Sequence, residues 1–359
     1  MNDHVYVIAE AGVNHNGSLE MAVELVAVAA AAGADAVKFQ TFKADRLVSR
    51  SAGKAQYQKA STDPDESQFE MLKKLELSDQ DHAVLVKEAQ KRGIHFLSTA
   101  FDTESMDFLV AQTGIRHIKI PSGEAINAPF LLHAARKNLP VLLSTGMCTL
   151  ADIEQALAVL AYGMTHPTGD PAKGAITAAY TDPAAYALLA ERVVILHCVT
   201  EYPAAPEQIN LRAMDAIAGA FGLPVGYSDH TLGTAVALAA VARGAKVIEK
   251  HFTLDRELPG PDHRASLLPE ELTAMVAGVR EIGAALGRAV KAPVAAELAN
   301  REVARKSLIT LQAVKRGELF SVENLGVKRP GSGLSPHLYW DFLGRPAARD
   351  YAADELISW

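Results

Sequence analysis

The chain has 359 residues, of which 49% are hydrophobic and 21% are charged, which is typical of a globular protein with two domains or one large domain and an appendage. A formal net charge of −7 without a long basic run argues against nucleic acid or an anionic membrane surface as a partner. Two cysteines cannot form a disulfide framework, and every apolar stretch is shorter than the roughly 20 residues of a membrane span. The first residues also lack the pattern of a secretory signal. We therefore expect a cytoplasmic protein.

Short β-rich runs alternate with longer helical patterns, as in proteins whose parallel sheet is built from βα units. Eight runs are predicted to be strands, at residues 5–11, 36–41, 95–101, 118–122, 141–144, 193–199, 225–228 and 247–252. Eight such units in about 290 residues predict an α/β fold of the (β/α)8 TIM-barrel type. An open doubly wound sheet is the alternative, but no GxGxxG motif follows a strand, so a dinucleotide-binding fold has little support.

Two segments depart from this alternation. Residues 46–76 are polar and are predicted to be a long loop over one face of the barrel. After residue 286 the pattern changes to short apolar pieces separated by turns, which indicates a small, irregular second domain. We predict a barrel domain at residues 1–288, a linker at 289–300 and a C-terminal domain at 301–359.

Polar side chains follow every one of the eight predicted strands, at the end where a TIM barrel carries its active site. A single polar residue at such a place means little, but eight in register indicate a functional site. The residues with chemical capability include Glu10, Lys38, Gln40, Thr99, Lys119, Ser122, Glu124, Ser144, Tyr202, Ser228, His230 and His251.

The chemistry of these side chains indicates an anion site next to a metal site. Lys38 and Lys119, together with the hydroxyl groups, can bind an oxyanion such as phosphate or carboxylate. His230 and His251 end adjacent strands and are a candidate pair of divalent-metal ligands. The simpler alternatives are hydrogen-bonded core histidines and lysines paired with a barrel glutamate. The carboxylates available for substrate contact or proton transfer are Glu10, Glu124 and Asp262.

Nine sequence blocks, in order, resemble the sialic acid synthases: IAEAGVNHNGSLE, KFQTFKADRL, FLSTAFD, IKIPSGE, LLSTGM, LHCVTEYPA, GYSDHTLG, VIEKHFTLD and GPDHRASL. These enzymes condense phosphoenolpyruvate with an N-acyl hexosamine. The tail, with KRPGSGLSP, resembles their C-terminal SAF domain, which is similar to type III antifreeze protein. The resemblance covers nearly the whole chain and implies a TIM barrel followed by an SAF domain.

The resemblance also implies roles for individual positions. Manganese or magnesium would be bound by His230 and His251, with Glu10 near the reacting atoms. Arg329, in the tail, would reach into the active site of the other subunit of a domain-swapped homodimer. The phosphoenolpyruvate contacts would be Lys38, Thr99, Lys119, Ser122, Ser144 and Ser228. The sugar contacts would be Gln40, Glu124, Tyr202 and Asp262.

From this resemblance we predict an N-acetylneuraminate synthase that acts on N-acetylmannosamine. The alternative is an N,N′-diacetyllegionaminate synthase, whose substrate is 2,4-diacetamido-2,4,6-trideoxymannose. The choice between them is open because Thr200 occupies a position where some neuraminate synthases have Asn. A more distant alternative is a barrel aldolase with Lys119 or Lys250 as a Schiff base, and a non-enzymatic one is a carbohydrate-binding protein.

Overall fold

The computed structural model describes residues 4–55, 58–59, 62–63 and 65–359, and the chain forms two compact units, Met1–Gly287 and Arg288–Trp359. In the first unit, eight parallel strands close into a barrel in chain order. They are β1 (Tyr6–Gly12), β2 (Ala36–Thr41), β3 (His95–Ala100), β4 (Ile118–Ile120), β5 (Val141–Ser144), β6 (Val193–His197), β7 (Val225–Asp229) and β8 (Val247–His251). The predicted TIM barrel is therefore confirmed.

Helices alternate with these strands and bury their apolar sides in one continuous core. Helix Asp79–Arg92 shows the local sequence logic: the Ser78 hydroxyl accepts a hydrogen bond from the Asp81 amide, and Gly93 ends the helix with a φ of 71°. Among the described residues, no helix has the length and apolar character that crossing a membrane requires. The barrel helices are Leu19–Ala31, Ala44–Leu47, Gln68–Lys74, Asp79–Arg92, Thr103–Gln112, Ala128–Ala135, Leu150–Thr165, Ala175–Tyr180, Pro183–Arg192, Ala213–Phe221, Ala235–Ala242 and Pro269–Leu286.

The register of the strands aligns the polar residues near their C-terminal ends. Glu10 of β1 lies beside Lys38 of β2 on one side and His251 of β8 on the other. Thr99 of β3 lies beside Lys119 of β4. Since alternate side chains of a strand share a face, this register brings residues from five strands to the same end of the barrel interior.

The segment predicted to be a long loop at residues 46–76 contains regular structure. Helix Ala44–Leu47 overlaps its start, and helix Gln68–Lys74 lies near its end. The second helix begins with a capping box, in which Ser67 and Glu70 each bind the other's backbone amide through their side chains. The sequence does not predict this helix because it is only 7 residues long and lies in a segment that is polar as a whole.

The second unit is a small domain with its own core. It contains helices Ala295–Ala304 and Tyr339–Phe342 and an antiparallel pair, β9 (Ser307–Thr310) and β10 (Leu325–Lys328). The first of these helices begins inside the range for which a linker is predicted, so the exact domain boundaries stay a prediction. The core consists of Leu308, Val314, Phe320, Leu325, Phe342, Ala347, Tyr351 and Ile357.

A buried histidine after β1 makes the stability of the barrel depend on pH. The side chain of His15 is fully buried beside Phe39, and burial lowers its pKa from 6.5 to about 4. His15 takes up a proton near pH 6.5 in the unfolded chain but only near pH 4 in the folded chain. Its contribution to the free energy of unfolding is therefore complete above pH 6.5. It is lost as the pH falls from 6.5 towards 4, by about 3 kcal/mol in total.

We therefore expect His15→Gln to weaken the dependence of the unfolding free energy on pH between 6.5 and 4. Glutamine keeps a polar side chain at this place but does not titrate there. Urea unfolding of both proteins at several pH values measures the difference between their slopes. Parallel curves for the two proteins would contradict this assignment.

Candidate active site

A cavity of about 310 Å³ lies at the C-terminal ends of the barrel strands. It collects twelve of the fourteen predicted site residues. These are Glu10, Lys38, Gln40, Thr99, Lys119, Ser122, Ser144, Tyr202, Ser228, His230, His251 and Asp262.

Lys38 is the first of two buried cations in this cavity. Its Nζ lies 2.7 Å from Glu10 Oε2 and 3.6 Å from Glu249 Oε2, and it donates a hydrogen bond of 2.8 Å to Thr99 Oγ1. Burial alone favours the neutral amine, but the two carboxylates outweigh it and raise the pKa of Lys38. Lys38 is therefore a fixed positive charge at the floor of the cavity.

Lys119 is the second buried cation. Its Nζ donates to Ser144 Oγ at 2.8 Å and lies 3.4 Å from Glu249 Oε1. The same carboxylate oxygen accepts a hydrogen bond of 2.8 Å from Ser228 Oγ. Burial is the largest influence and lowers the pKa of Lys119, although Glu249 opposes it. Burial removes the water that would stabilise the charge of Lys119. A bound anion would compensate for this loss and would favour the charged form of Lys119.

The two carboxylates between the lysines differ in their affinity for protons. Burial raises the pKa of Glu10, against the attraction of Lys38. Burial also disfavours the charge of Glu249, but Lys119 and Lys38 together outweigh this effect and lower its pKa. Glu249 is thus the permanent counter-ion, and Glu10 is the carboxyl group that can exchange a proton near neutral pH.

The two predicted metal ligands lie side by side. The ring centroids of His230 and His251 are 5.6 Å apart, and the Tyr202 ring lies 4.1 Å from that of His230. The Nδ1–H of His230 donates to the Val199 carbonyl at 2.6 Å, which fixes the tautomer and leaves Nε2 as an acceptor. Burial is the main cause that lowers the pKa of both imidazoles, so both are neutral at pH 7.

These donors fit a divalent metal. Metal binding needs neutral imidazoles, and His251 Nδ1 is a buried atom without a hydrogen-bond partner among the described residues. The carboxylate of Asp262 lies 3.9 Å from this atom, and burial raises the pKa of Asp262 to about 6. Within the described ranges, no group of three or more His, Cys, Asp or Glu side chains is arranged around a common point. A divalent metal at this place would be held by the two imidazoles, and water or substrate oxygens would complete its coordination.

Two predicted site residues do not line the cavity. Glu124 ends a short turn after β4 and accepts a hydrogen bond of 2.6 Å from Asn127 Nδ2. Arg329 follows β10 in the second unit and is exposed. Lys250, one candidate for a Schiff base, is also outside the cavity, because it is fully buried and paired with Asp229 at 2.7 Å.

Sequence reasoning missed several residues of the cavity. Glu249 has no role among the predicted site residues, although alternation in β8 places it on the same face as His251. Thr200 and Cys198 lie close to Ser122, and the Cys198 thiol is 3.2 Å from the Ser122 hydroxyl. The segment predicted to be a loop also contributes to the cavity, and no chemical pattern in the sequence marked it. Its contributors are Leu47, Val48, Gln58, Gln68, Met71, Leu72 and Leu75.

Comparison with known proteins places this arrangement in a family. The sequence model of the NeuB family matches residues 25–291, and that of the SAF domain matches residues 305–359. The chain belongs to the NeuB family. The predicted resemblance to sialic acid synthases with an SAF domain is thereby confirmed, and the protein is an enzyme of the synthase type. The members of this family generally depend on a metal.

Individual relatives correct the predicted substrate. The N,N′-diacetyllegionaminic acid synthases of Campylobacter jejuni and Legionella pneumophila are 47% and 44% identical to this chain. The alignments cover 98% of this chain and 98% of the first relative, and 99% of this chain and 93% of the second. The crystal structure of N-acetylneuraminic acid synthetase from Leptospira borgpetersenii in complex with citrate has a TM-score of 0.66 and 30% identity. That alignment covers 83% of this chain and 90% of the other. The prediction of an N-acetylneuraminate synthase was therefore wrong, because both compared legionaminic acid synthases are much more similar.

Proposed function

We propose that the protein condenses phosphoenolpyruvate with 2,4-diacetamido-2,4,6-trideoxymannose to give N,N′-diacetyllegionaminate and phosphate. The observation that carries this proposal is one cavity in which Lys38 and Lys119 lie beside His230 and His251. The names of the relatives at 44% and 47% identity support the choice of sugar.

The lysine side of the cavity binds phosphoenolpyruvate. Its phosphate and carboxylate need cations and donors in a dry site, which Lys38 and Lys119 supply. The hydroxyl groups nearby add donors with fixed directions and thereby orient the enol carbon. These are Thr99, Ser122, Ser144 and Ser228.

The histidine side binds the aldehyde end of the open-chain sugar. His230 and His251 would hold manganese or magnesium, which would supply Lewis acidity toward the sugar carbonyl. Asp262, Gln40 and Tyr202 contact the sugar beside it. Both substrates then lie within one closed site, so positioning supplies much of the catalysis.

The reaction forms a carbon–carbon bond between the substrates and a carbon–oxygen bond to water, and it breaks the carbon–oxygen bond to phosphate. The enol carbon of phosphoenolpyruvate attacks the aldehyde carbon, and the aldehyde oxygen becomes a hydroxyl group. Water adds to the neighbouring cationic carbon, and phosphate leaves with its bridging oxygen. Of the two protons that the added water gives up, one goes to the aldehyde oxygen and the other to the departing phosphate. Glu10 relays the first of them, since its carboxyl group lies in the floor of the cavity with a raised pKa.

We extend this proposal to the assembly and location that the resemblance implies. The protein works as a homodimer in which Arg329 completes the partner's site, so each cavity joins residues of two chains. It acts in the cytoplasm on small-molecule substrates, where both cysteines stay reduced.

Phosphate release from phosphoenolpyruvate tests the function. We expect release with the diacetamido sugar and manganese, less with N-acetylmannosamine, and least with N-acetylmannosamine 6-phosphate. Removal of the metal with EDTA should abolish release, and added manganese should restore it. Activity that persists in EDTA and is trapped by borohydride with pyruvate would instead indicate a Schiff-base aldolase.

A further inference from the structure

One side of the cavity is apolar and comes mainly from the segment that follows β2. We define the apolar wall as Leu47, Val48, Met71, Leu72, Leu75 and Phe101, all of which line the cavity. Five of these six side chains belong to the stretch between β2 and helix Asp79–Arg92, and Phe101 follows β3 directly. The wall therefore stands beyond the strand ends, above the floor that carries the lysines.

The wall is part of an ordered cluster. Met71 and Leu75 are buried together with Phe42, and Leu47, Leu72 and Phe101 pack against them. The rings of Phe42 and Phe101 meet edge to face at 6.0 Å. This packing fixes the positions of the apolar side chains before a substrate arrives.

Polar contacts at the base of the segment hold it in place. The Ala44 amide donates to Glu76 Oε1 at 2.8 Å, which joins the two ends of the segment. Inside it, the nearly buried Lys54 donates to Glu66 Oε1 at 3.1 Å and to the Asp63 carbonyl at 2.6 Å. The apolar wall is therefore a built feature of the cavity and not a chance contact.

Floor and wall offer opposite chemistry to the two ends of the sugar. The aldehyde end must reach the histidines and phosphoenolpyruvate at the floor, so the far end, with C4 to C6, extends towards the wall. A hydroxyl group in contact with these six side chains loses its hydrogen bonds to water and gains none. Gln58 and Gln68 of the same segment also line the cavity, but Gln68 Nε2 donates to Gln58 Oε1 at 3.4 Å, so these two amides partner each other. A methyl group at the same place gains from leaving water.

We infer that the apolar wall selects 6-deoxy sugars, by contact with the C6 methyl group of the acceptor. The inference rests on the proposed function and goes further, because it assigns the choice of sugar to named side chains. Val48 is the best reporter, since it lines the cavity, is only partly buried and does not belong to the packed cluster. Leu72 also lines the cavity but packs on the cluster, so urea unfolding of its variant accompanies the kinetic test.

The test compares three acceptors with wild type, Val48→Thr and Leu72→Gln. The acceptors are N-acetylmannosamine, its 6-deoxy analogue and the diacetamido trideoxy sugar, and kcat/KM is measured by phosphate release. Wild type should prefer the 6-deoxy analogue to N-acetylmannosamine by about tenfold or more, the usual effect of one small group in an apolar pocket. Each variant should lower this preference several-fold. Val84→Thr, an exposed valine on helix Asp79–Arg92, makes the same change outside the cavity and should leave it unaltered.

The outcomes separate the inference from the proposed function. A wild-type enzyme that is active on the diacetamido sugar, with equal preferences in all variants, would overturn the inference alone. Equal activity of wild type on N-acetylmannosamine and its 6-deoxy analogue would do the same. Failure of wild type to release phosphate with any of the three sugars would overturn the proposed function, and the inference with it.

Discussion

Replacement of Asp229 by alanine is expected to lower the free energy of unfolding by about 3–5 kcal/mol. Both side chains of the Asp229–Lys250 pair are completely buried, and Lys250 Nζ lies 2.7 Å from Asp229 Oδ2. Asp229 Oδ1 also accepts hydrogen bonds from the amide and hydroxyl of Thr231 and from Tyr227 Oη. Without the carboxylate, the barrel must bury an unpaired ammonium group or force it to lose its proton. Urea unfolding followed by circular dichroism measures the change.

Two further variants give this prediction its controls. Asp107→Ala removes a half-exposed carboxylate 2.5 Å from Lys137, and it should cost less than about 1 kcal/mol because water screens the pair. Combining Asp229→Ala with Lys250→Met should recover part of the loss, since no unpaired charge remains buried. Equal losses for Asp229→Ala and Asp107→Ala would contradict the predicted cost.

The barrel was predictable because eight short apolar runs alternate with helical patterns along the chain. The polar residues of the site were predictable because charged residues stand out within such runs. Glu10, Lys38 and Lys119 interrupt apolar runs that are buried on both faces, and an unpaired charge there is too costly to be incidental. Their meeting in one cavity follows from barrel closure alone, which brings the ends of all eight strands to one face.

The remaining features depend on contacts that are distant in sequence. Lys250 lies beside His251 in sequence, and only the register of the barrel shows that it pairs with Asp229 outside the cavity. The apolar wall was hidden because its side chains are spread through a mostly polar segment and come together only when Met71 and Leu75 pack on Phe42. The sugar was mispredicted because the sequence blocks that carry the resemblance do not distinguish the two candidate acceptors.

The second large effect is expected for Lys119→Met, which should lower kcat/KM for phosphoenolpyruvate by about 100- to 1,000-fold. Methionine keeps most of the length of lysine but removes the charge that faces the anion. Truncation of one partner in a buried charged contact usually costs 2–5 kcal/mol, and every 1.4 kcal/mol is a factor of ten. Lys91→Met, on a side chain 74% exposed, should leave kcat/KM unchanged. An unchanged kcat/KM in Lys119→Met would exclude Lys119 from the anion site.

The same variant tests whether two chains build each site. If Arg329 completes the partner's cavity, co-expression of Lys119→Met with Arg329→Ala yields heterodimers in which one site holds both wild-type residues. About a quarter of the wild-type activity should then return, since half of the dimers carry one such site out of two. If Arg329 instead served the cavity of its own chain, every site in the heterodimer would lack one of the two residues. The mixture would then show only the average activity of the separate variants. That result would contradict the shared site, while the loss in Lys119→Met would still stand as evidence for the anion site.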